Sequence, residues 1–285
     1  MKILQTENLN GAKPQTIFIT GGTRGVGLEI AKRYAQMGAN VIIVGKTVEP
    51  HAKLPGTLAS ASAEIKAAGA REVMALQCDV RDLDSLQQAI TSAGTHFGKI
   101  DILVNNASAL YLLKSTDITP SKFNLMFEVI VRASLFAAQY ALPFLSKSAA
   151  PRIIHIAPPI AVLPKWFKDH SAYTVCKFSS AMLVVGLAEE FKALGIAVNA
   201  LWPKTLLATA AVQNLLGGEI AMKHSRHPRI VADALVYLAG QPSDYSGKFH
   251  LDEDVLREQG IDLAAYSMVA GSELITDLYV EESAE

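Results

Sequence analysis

Short apolar runs alternate with longer amphipathic stretches along most of the chain. Each run is nearly continuous in hydrophobic residues, which is typical of parallel strands that are covered on both faces. The strands predicted from these runs are residues 16–20, 41–44, 73–77, 102–105, 152–157, 197–202 and 248–251.

The amphipathic stretches predict helices, and several of them end at a glycine, the usual residue just past a helix C-terminus. The predicted helices are residues 27–38, 60–70, 83–98, 121–146, 171–194 and 229–240. This alternation predicts an α/β fold, a doubly wound parallel sheet with helices on both faces. We expect one domain over residues 12–255, and a tail over residues 256–285 that packs onto it and ends in a mobile acidic segment.

Composition narrows the classes of function. Half of the 285 residues are hydrophobic, so a large core can form. The formal net charge of −1 gives no overall attraction to nucleic acids or anionic membranes, and we expect neither partner. Cys78 and Cys176 have no CxxC spacing and indicate free thiols in a reducing compartment. With no secretory signal and no metal-ligand spacing, the sequence predicts a cytoplasmic protein without a bound metal.

The sequence GGTRGVG, residues 21–27, follows the first predicted strand and opens the first predicted helix. Its glycines allow a tight turn and a close backbone approach, and the helix start offers free N–H groups to a pyrophosphate. This context predicts a dinucleotide site; the alternative is a glycine-rich turn without a ligand. The residues of the turn expected to contact the cofactor are Gly21, Thr23, Arg24, Gly25, Val26 and Gly27.

The end of the second predicted strand distinguishes between the two nicotinamide dinucleotides. NAD sites usually place an acid there to bind the ribose 2′-hydroxyl, whereas this chain has Lys46 and Thr47. Lys46 and Arg24 could hold a 2′-phosphate, which an acid would repel. The sequence therefore favours NADP(H); the alternative is that both cations are simply solvated.

Tyr173 and Lys177, in SAYTVCK, lie four residues apart on one face of a predicted helix. An ammonium group beside a phenol favours the phenolate and so adapts the tyrosine for proton transfer near neutral pH. The spacing alone is common by chance, so its meaning depends on the rest of the chain.

Several motifs together resemble the short-chain dehydrogenase/reductase family, and in particular its hydroxysteroid dehydrogenase-like subgroup. The motifs are TGGTRGVG (20–27), CDV (78–80), NNAS (105–108), YTVCK (173–177) and PKTLLAT (203–209). The resemblance extends over residues 14–275 and implies a Rossmann-type fold that binds NADP(H). It further implies cofactor contacts after the third, fourth and sixth strands. They are made by Asp79 and Val80, by Asn105 and Ala107, and by Pro203, Thr205 and Thr209.

In this family Tyr173 would exchange a proton with the substrate oxygen, and Lys177 would hold the nicotinamide ribose and lower the pKa of Tyr173. The catalytic set has two further members, a serine and an asparagine, whose positions here carry Ala157 and Ile130. Alanine cannot donate a hydrogen bond to a developing alkoxide, a loss that typically costs ~10²–10³ in rate. Isoleucine cannot hold a relay water with its side chain.

Three polar residues could replace the missing donor by their position in the family pattern, namely Ser108, Tyr111 and His170. Two functions remain open. The first is an NADP(H)-dependent oxidoreductase with reduced activity on an apolar carbonyl or alcohol. The second is an NADP(H)-binding sensor or partner-binding protein with little turnover. The intact pair of Tyr173 and Lys177 favours the first.

Aromatic residues precede the Tyr173 helix. Trp166 and Phe167 either wall an apolar substrate pocket or belong to the core, and the sequence does not choose. His155 lies in a predicted buried strand and is expected to be a hydrogen-bonded core histidine.

Two further regions carry expectations of their own. The basic stretch 223–229 predicts a solvated loop, and Lys53 lies in a loop from which it could reach the cofactor phosphates. In the resembled family, the helices matching 121–146 and 171–194 form a subunit interface. A homodimer or homotetramer through these helices is therefore expected.

Overall fold

The structure, a computed structural model, describes residues 14–50 and 55–281. At its centre is a seven-stranded parallel sheet with the order β3-β2-β1-β4-β5-β6-β7. The strands are β1 Thr16–Thr20, β2 Asn40–Gly45, β3 Glu72–Gln77, β4 Ile102–Asn105, β5 Arg152–Ile156, β6 Ala197–Trp202 and β7 Phe249–Leu251. Strand order reverses between β1 and β4, and such a reversal opens a ligand crevice at the carboxyl ends of the strands.

The connections between strands supply the helices, whose bounds agree closely with the longer predictions. The α-helices of the described residues are α1 Gly25–Gln36, α2 Leu58–Ala67, α3 Leu83–Phe97, α4 Pro120–Phe127, α5 Ala133–Leu145, α6 Ser171–Glu190, α7 Ala210–Leu215, α8 Gly218–Lys223, α9 Arg229–Ala239 and α10 Asp252–Glu258.

Each face of the sheet has its own core. Ile17 and Ile19 of β1 pack with residues of α1, α2 and α9, whereas Phe18 packs on the opposite face with residues of α3, α5 and α6. Successive side chains of a strand point to opposite faces, so a strand buried on both sides must be apolar throughout. The predicted doubly wound sheet is confirmed.

The long helix predicted over residues 121–146 contains an unpredicted wide turn. α4 and α5 are joined by the π-helical turn Glu128–Arg132, which contacts α6. A π turn holds one more residue than an α turn and is often found at functional sites. The hydrophobic pattern carries no signal for it.

Two helical segments, Pro120–Leu145 and Ser171–Glu190, are long and apolar enough to meet simple criteria for a membrane span. However, 44% and 56% of their apolar windows are buried inside the protein. The core helices of a soluble protein have the same composition, so this feature is weak evidence for a membrane helix.

After α10 the chain returns to the carboxyl end of the sheet as the C-terminal strap, residues 275–280. The strap runs antiparallel to the segment after β6, with Thr276 bridged to Thr205. The Asp277 N–H donates to the Lys204 carbonyl at 3.0 Å, and Trp202 Nε1 donates to the Leu278 carbonyl at 2.9 Å. The acidic end expected to be mobile, 282–285, lies outside the described residues, as do residues 12 and 13 of the expected domain.

Candidate active site

The turn between β1 and α1 requires glycine for two reasons. Gly21 and Gly25 have φ angles of 70° and 54°, in the left-handed region that glycine favours. At Gly27, a Cβ would lie 2.4 Å from the Gly21 carbonyl oxygen and 2.5 Å from Asn106 Nδ2. The backbone of this turn therefore stays bare and open to a ligand.

The first turn of α1 is available to an anion. The N-cap residue, Arg24, makes no side-chain cap hydrogen bond, and no acidic residue lies in this turn. The leading N–H groups of a helix lack intrahelical partners and lie at the positive end of the helix dipole. A pyrophosphate can satisfy both the hydrogen bonds and the charge.

Asn106, which the sequence analysis did not single out, ties β4 to the glycine turn. Its Nδ2 donates to the Thr20 carbonyl at 2.8 Å and to the Gly21 carbonyl at 3.1 Å. The N–H groups of Asn106 and Ala107 both donate to Thr20 Oγ1 at 3.0 Å. The signal for this role was present in the second asparagine of the NNAS motif.

These elements surround a cavity of about 490 Å³. Most of the residues predicted to bind the cofactor line it. They are Gly21, Thr23, Arg24, Gly25, Val26, Gly27, Lys46, Thr47, Asp79, Val80, Ala107 and Thr209. Residues not predicted also line it, and they include Gly45, Cys78, Arg81, Asn106 and Ala210. A dinucleotide fits this cavity, because the glycine turn lets it approach the backbone and the free helix start offers N–H groups to its pyrophosphate.

One end of the cavity is positively charged. The Arg24 guanidinium donates to Thr47 Oγ1 at 2.7 Å and to the Gly56 carbonyl at 3.3 Å, so its position is fixed. Lys46 and Arg81 line the same cavity. These three cations stand against one carboxylate, Asp79, among the described lining residues.

Asp79 itself is already neutralised. Arg81 Nη2 lies 2.6 Å from Asp79 Oδ2, and Arg81 also donates through its Nε. Hydrogen bonding to Arg81 holds the pKa of Asp79 below its usual range against the opposing effect of burial, with a smaller contribution from the Lys46 charge. The field at this end of the cavity therefore remains positive.

Tyr173 and Lys177 lie on one face of α6 as predicted, and both are buried, at 6% and 4% exposure. Lys177 Nζ donates to the Ile156 carbonyl at 3.2 Å and lies 6.0 Å from the centre of the Tyr173 ring. Neither residue lines the cavity described above, and neither do Asn105, Pro203 and Thr205.

The expected lowering of the Tyr173 pKa by Lys177 is not found. Burial raises the pKa of the Tyr173 phenol well above its ordinary value, because a phenolate in this apolar surrounding is poorly solvated. Burial likewise lowers the pKa of the Lys177 ammonium to about 8. With its phenol buried and protonated, Tyr173 is a proton donor at neutral pH.

Of the three replacement donors, Ser108 is the one placed beside the tyrosine. Its hydroxyl lies close enough to Tyr173 to act against the rise in the pKa of the phenol, and it lines the cavity. The Tyr111 ring instead lies under Lys122 Nζ, 5.3 Å away. The His170 ring lies 6.3 Å from the ring of Tyr279, and its buried Nε2 has no hydrogen-bond partner among the described residues.

Ala157 and Ile130, which stand at the positions of the family's serine and asparagine, differ in their surroundings. Ala157 is fully buried in the core with Phe18. Ile130 lies in the π turn and packs in the same apolar cluster as Tyr173, while its carbonyl accepts from Ser134 Oγ at 2.7 Å. Neither side chain can donate a hydrogen bond to a substrate.

His155 is fully buried, and the prediction of a satisfied core histidine is confirmed. Its Nε2 lies 3.2 Å from Asn105 Nδ2, and its Nδ1 lies 3.4 Å from Ser180 Oγ. Burial, and to a smaller degree the Lys177 charge, lowers the pKa of this imidazole to about 3. Through its Nδ2, Asn105 thus joins the ends of β4 and β5, and it does not line the cavity.

Two buried oxygens near the predicted nicotinamide end have no hydrogen-bond partner, Asn105 Oδ1 and Thr205 Oγ1. Buried polar atoms are rarely left unpaired. The carboxamide and hydroxyl groups of a nicotinamide riboside have the chemistry to satisfy them. Pro203 leads from β6 into the segment that carries Thr205, which the C-terminal strap covers.

The strap brings an aromatic side chain against the catalytic helix. The Tyr279 ring stacks on the Tyr173 ring with centres 6.4 Å apart, and its hydroxyl lies 3.2 Å from Thr174 Oγ1. Trp166 packs edge-on against Tyr279, 5.8 Å away, and Phe167 belongs to the same apolar cluster. Trp166 and Phe167 are therefore both half-buried in a cluster that surrounds Tyr173.

The basic stretch 223–229 was expected to be a solvated loop, and this prediction is wrong for Ser225, Arg226 and Pro228, which are buried. Ser225 is fully buried, and Arg226 is buried in an ion pair with Glu253 at 2.7 Å. A cation can be buried when a carboxylate compensates its charge, and the sequence does not show that partner. Lys53, proposed to reach the cofactor phosphates, lies outside the described residues.

Comparison with known proteins agrees with this geometry. The family described as short chain dehydrogenase matches residues 15–218. Among curated relatives, hydroxysteroid dehydrogenase-like protein 2 of Danio rerio is 45% identical over 273 residues, and that of Homo sapiens is 43% identical over the same length. These alignments cover 95% of this chain but only 65% and 64% of the relatives, so the chain spans about two thirds of their length.

Solved structures show the same likeness. A short chain dehydrogenase from Mycobacterium thermoresistibile is 45% identical, with a TM-score of 0.88 over 94% of this chain and 95% of that chain. A metagenomic short-chain oxidoreductase in complex with NADP is 25% identical, with a TM-score of 0.65 over 83% of this chain and 95% of that chain. With its glycine turn, its parallel sheet and its Tyr173 and Lys177 helix, this chain belongs to the short-chain dehydrogenase family.

Proposed function

We propose that this chain is an NADP(H)-dependent oxidoreductase that interconverts a carbonyl and an alcohol on an apolar substrate, with reduced activity. The proposal rests on one observation, which is that the site consists of two neighbouring parts. A positively charged dinucleotide cavity lies at the carboxyl end of the sheet, and Tyr173 with Lys177 lies on the adjacent helix α6.

The preference for NADP(H) rests on the charged end of the cavity. Arg24, Lys46 and Arg81 line it, and Asp79 is paired with Arg81. A 2′-phosphate carries negative charge and accepts hydrogen bonds from such cations. The relative in complex with NADP supports the same choice, although only 25% of its residues are identical.

The roles of the chain's own residues follow from their positions. The cofactor supplies or accepts the hydride when it is bound. Tyr173 donates its phenolic proton to the substrate oxygen, and the Lys177 charge stabilises the phenolate that results. Ser108 takes the place of the missing serine, because its hydroxyl lines the cavity and lies close enough to Tyr173 to lower the pKa of the phenol.

The surroundings of Tyr173 favour an apolar substrate. Tyr173 packs in a cluster with Met126, Trp202 and Tyr279, with Trp166 at its edge. Apolar walls that converge on a few polar groups are typical of sites for apolar ligands. A polar substrate would leave its own groups unpaired here.

The test begins with binding of NADPH and NADH by calorimetry, followed by turnover on a panel of apolar ketones, aldehydes and quinones. The same panel is run with the double variant Ala157→Ser/Ile130→Asn, which restores the two polar groups of the family pattern. We expect tighter binding of NADPH than of NADH, measurable turnover in the parent chain, and a rate increase of ~10-fold or more in the variant.

The second candidate is an NADP(H)-binding protein without turnover. The apolar Ala157 and Ile130 favour it, as does the burial of Tyr173. Tight binding of NADPH with turnover only in the double variant would support this candidate and contradict the first. Failure to bind either dinucleotide would contradict both.

We also propose that two or four copies of the chain associate through α5 and α6. Apolar residues with at least a third of their surface exposed lie along these helices, namely Leu135, Val175, Met182 and Val185. Covering such residues stabilises an assembly by about 25 cal/mol for each Å² of apolar surface removed from water.

A further inference from the structure

We propose that Asp277 of the C-terminal strap is a positioning residue for the catalytic pair: it is the counter-ion of Lys177 and passes protons between Lys177 and solvent. The inference rests on the proposed function of Tyr173 and Lys177, and it adds a third ionisable group to that site.

The path of the strap fixes Asp277 near the pair. The Asp277 N–H donates to the Lys204 carbonyl at 3.0 Å, and the next carbonyl, that of Leu278, accepts from Trp202 Nε1 at 2.9 Å. The same Trp202 ring lies 5.0 Å from Lys177 Nζ. Hydrogen bonds from both sides of Asp277 therefore place it beside the residues that enclose the lysine.

Tyr279, two residues after Asp277, holds the strap in this position. Tyr279 stacks on Tyr173 with ring centres 6.4 Å apart, and it is 2% exposed. Its hydroxyl lies 3.2 Å from Thr174 Oγ1, one residue along α6 from Tyr173. The strap is thus held against α6 by packing and by hydrogen bonds, and Asp277 cannot move away without breaking them.

The groups that face Lys177 come from several elements. β5 contributes the Ile156 carbonyl and the neutral His155, and α6 contributes Tyr173 and the Cys176 thiol. Asp277 supplies the carboxylate whose charge raises the pKa of Lys177, against the larger effect of burial. It also raises the pKa of Tyr173. Asp277 therefore keeps the ammonium charged and the phenol protonated.

The groups that face Asp277 itself leave it able to exchange a proton. Its Oδ1 accepts from the Leu278 N–H at 2.7 Å, and the residue as a whole is half-buried. Burial raises the pKa of this carboxyl to about 7, while the hydrogen bond from the Leu278 N–H and the Lys177 charge act to lower it. Asp252 is a further carboxyl close enough to be influenced by it.

The need for such a group follows from the two apolar substitutions. Ile130 and Ala157 offer no side-chain hydrogen bond near the pair, and Lys177 is buried. A buried ammonium without a compensating charge loses its proton readily. Asp277 provides that charge from a different part of the chain.

The proton steps balance in the direction of carbonyl reduction. The O–H bond of Tyr173 breaks and its proton goes to the substrate oxygen, while the carbonyl carbon would receive the hydride that a bound NADPH supplies, so that the π electrons of the C=O bond form the new O–H bond. The Lys177 ammonium gives a proton to the phenolate, the Asp277 carboxyl gives one to the Lys177 amine, and solvent restores the carboxyl. No ion pair joins Asp277 and Lys177 within 4.0 Å among the described residues, so the proposed exchange requires a water between them.

The experiment compares Asp277→Asn, Asp277→Glu and the parent chain. Glu281→Gln is the matched control, because it removes an exposed carboxylate of the adjacent chain that pairs only with the exposed Lys165 at 3.3 Å. Circular dichroism and thermal unfolding establish that each variant is folded. The first readout uses the protein without cofactor: lysine labelled at Cε and Nζ is titrated by NMR, with the Lys177 signal assigned from Lys177→Met.

We expect Asp277→Asn to shift the Lys177 titration to lower pH by about one unit, while Asp277→Glu restores it and Glu281→Gln leaves it unchanged. In turnover, the alkaline limb of the pH profile of kcat/KM should shift in the same direction, with kcat falling ~10-fold at pH 8.

An unchanged Lys177 titration in Asp277→Asn would overturn the inference. So would a rise in activity, which would show that the strap merely blocks the site. If the parent chain has no turnover, the proposed function fails, and the NMR titration still decides whether Asp277 is the counter-ion of Lys177.

Discussion

At the scale of single residues, the candidate site depends on hydroxyl and charged groups at fixed positions. Ser108 lies close enough to Tyr173 to lower the pKa of its phenol, whereas Ala157 lies in the core and offers only a methyl group. Lys46 lines the cavity close enough to Asp79 to lower the pKa of that carboxyl. Each of these groups can be removed without disturbing an element of the fold.

The first prediction concerns Ser108. Ser108→Ala should lower kcat by ~10²–10³, because one donor to the developing alkoxide is lost, with much less change in NADPH affinity. Steady-state kinetics and calorimetry measure the two effects. Ser92→Ala on the exposed side of α3 is the control. An unaltered kcat in Ser108→Ala would mean that another group is the donor.

The second prediction concerns the choice of dinucleotide. Lys46→Ala should weaken NADPH binding by ~10-fold or more and leave NADH binding within a factor of three, since only NADPH carries the 2′-phosphate. Fluorescence titration with both dinucleotides measures this ratio. Lys66→Ala, an exposed lysine of α2, should change neither affinity. Equal weakening of both dinucleotides would place Lys46 away from the 2′-phosphate.

The sequence predicted the residues of this site more fully than their contacts. The glycine turn, Lys46 and Tyr173 could be named because each occupies a fixed place after a strand or on a helix, and Asp79 could be named from the family resemblance. The pairing of Asp79 with Arg81 and the burial of Tyr173 could not, because they depend on side chains that meet only in the folded chain.

At the scale of elements, the apolar runs specified every strand to within a residue. For the five central strands the reason is that a strand buried on both faces leaves an unbroken hydrophobic signature. The long helices were also predictable. The π turn Glu128–Arg132 and the strap were not. The former depends on backbone hydrogen bonding, and the latter on docking against a distant part of the chain.

The third prediction contrasts two glycines inside helices. A Cβ at Gly94 of α3 would lie 2.2 Å from the Phe144 ring, whereas a Cβ at Gly186 of α6 would meet nothing within 4 Å. Gly94→Ala should therefore reduce the free energy of unfolding by about 1–3 kcal/mol. Gly186→Ala should increase it by about 0.5–1 kcal/mol through helix propensity. Urea denaturation of both variants is the measurement, and equal effects would contradict the packing of α3 on α5.

At the scale of the whole molecule, the C-terminal part of the chain is joined to the body by buried polar groups. Arg226 pairs with Glu253, Arg33 pairs with Asp233 at 2.6 Å, and Tyr266 donates to Asp233 at 2.7 Å. Buried charges are tolerated only when compensated in this way. Docking of residues beyond β7 is therefore part of the folded state rather than an addition to it.

The fourth prediction concerns pH and stability. Burial raises the pKa of Asp252 to about 7, and its Oδ1 accepts from the N–H groups of Lys204 and Glu253. Between about pH 4 and 7 the folded state binds this proton more tightly than the unfolded state, so stability falls as the pH rises. Asp252→Asn keeps the accepting oxygen and removes this cost.

Relative to the parent chain, Asp252→Asn should therefore gain about 2 kcal/mol or more in free energy of unfolding between pH 5 and pH 8. Urea denaturation at the two pH values measures this difference. A stability difference between variant and parent that is the same at both pH values would show that Asp252 ionises normally in the folded protein.

The fifth prediction tests the association of copies. Met182→Asp/Val185→Asp places two charges on the exposed side of α6 and should convert a dimer or tetramer into monomers. Light scattering coupled to size-exclusion chromatography gives the mass. Val48→Asp, at an exposed apolar position after β2, should leave the mass unchanged. A monomeric parent chain would contradict the proposed association.

The π turn Glu128–Arg132 also determines how the long helix would respond to the deletion of one of its residues. Deleting one residue from an α-helix rotates everything after it by about 100°, which would turn buried residues such as Ala137 and Ala141 away from the core. The π turn already holds one residue in excess. Loss of Ile130 would instead close this turn into a regular α-helix and keep α4 and α5 in register. The position where the family's asparagine is missing is therefore the point of this helix most tolerant of deletion.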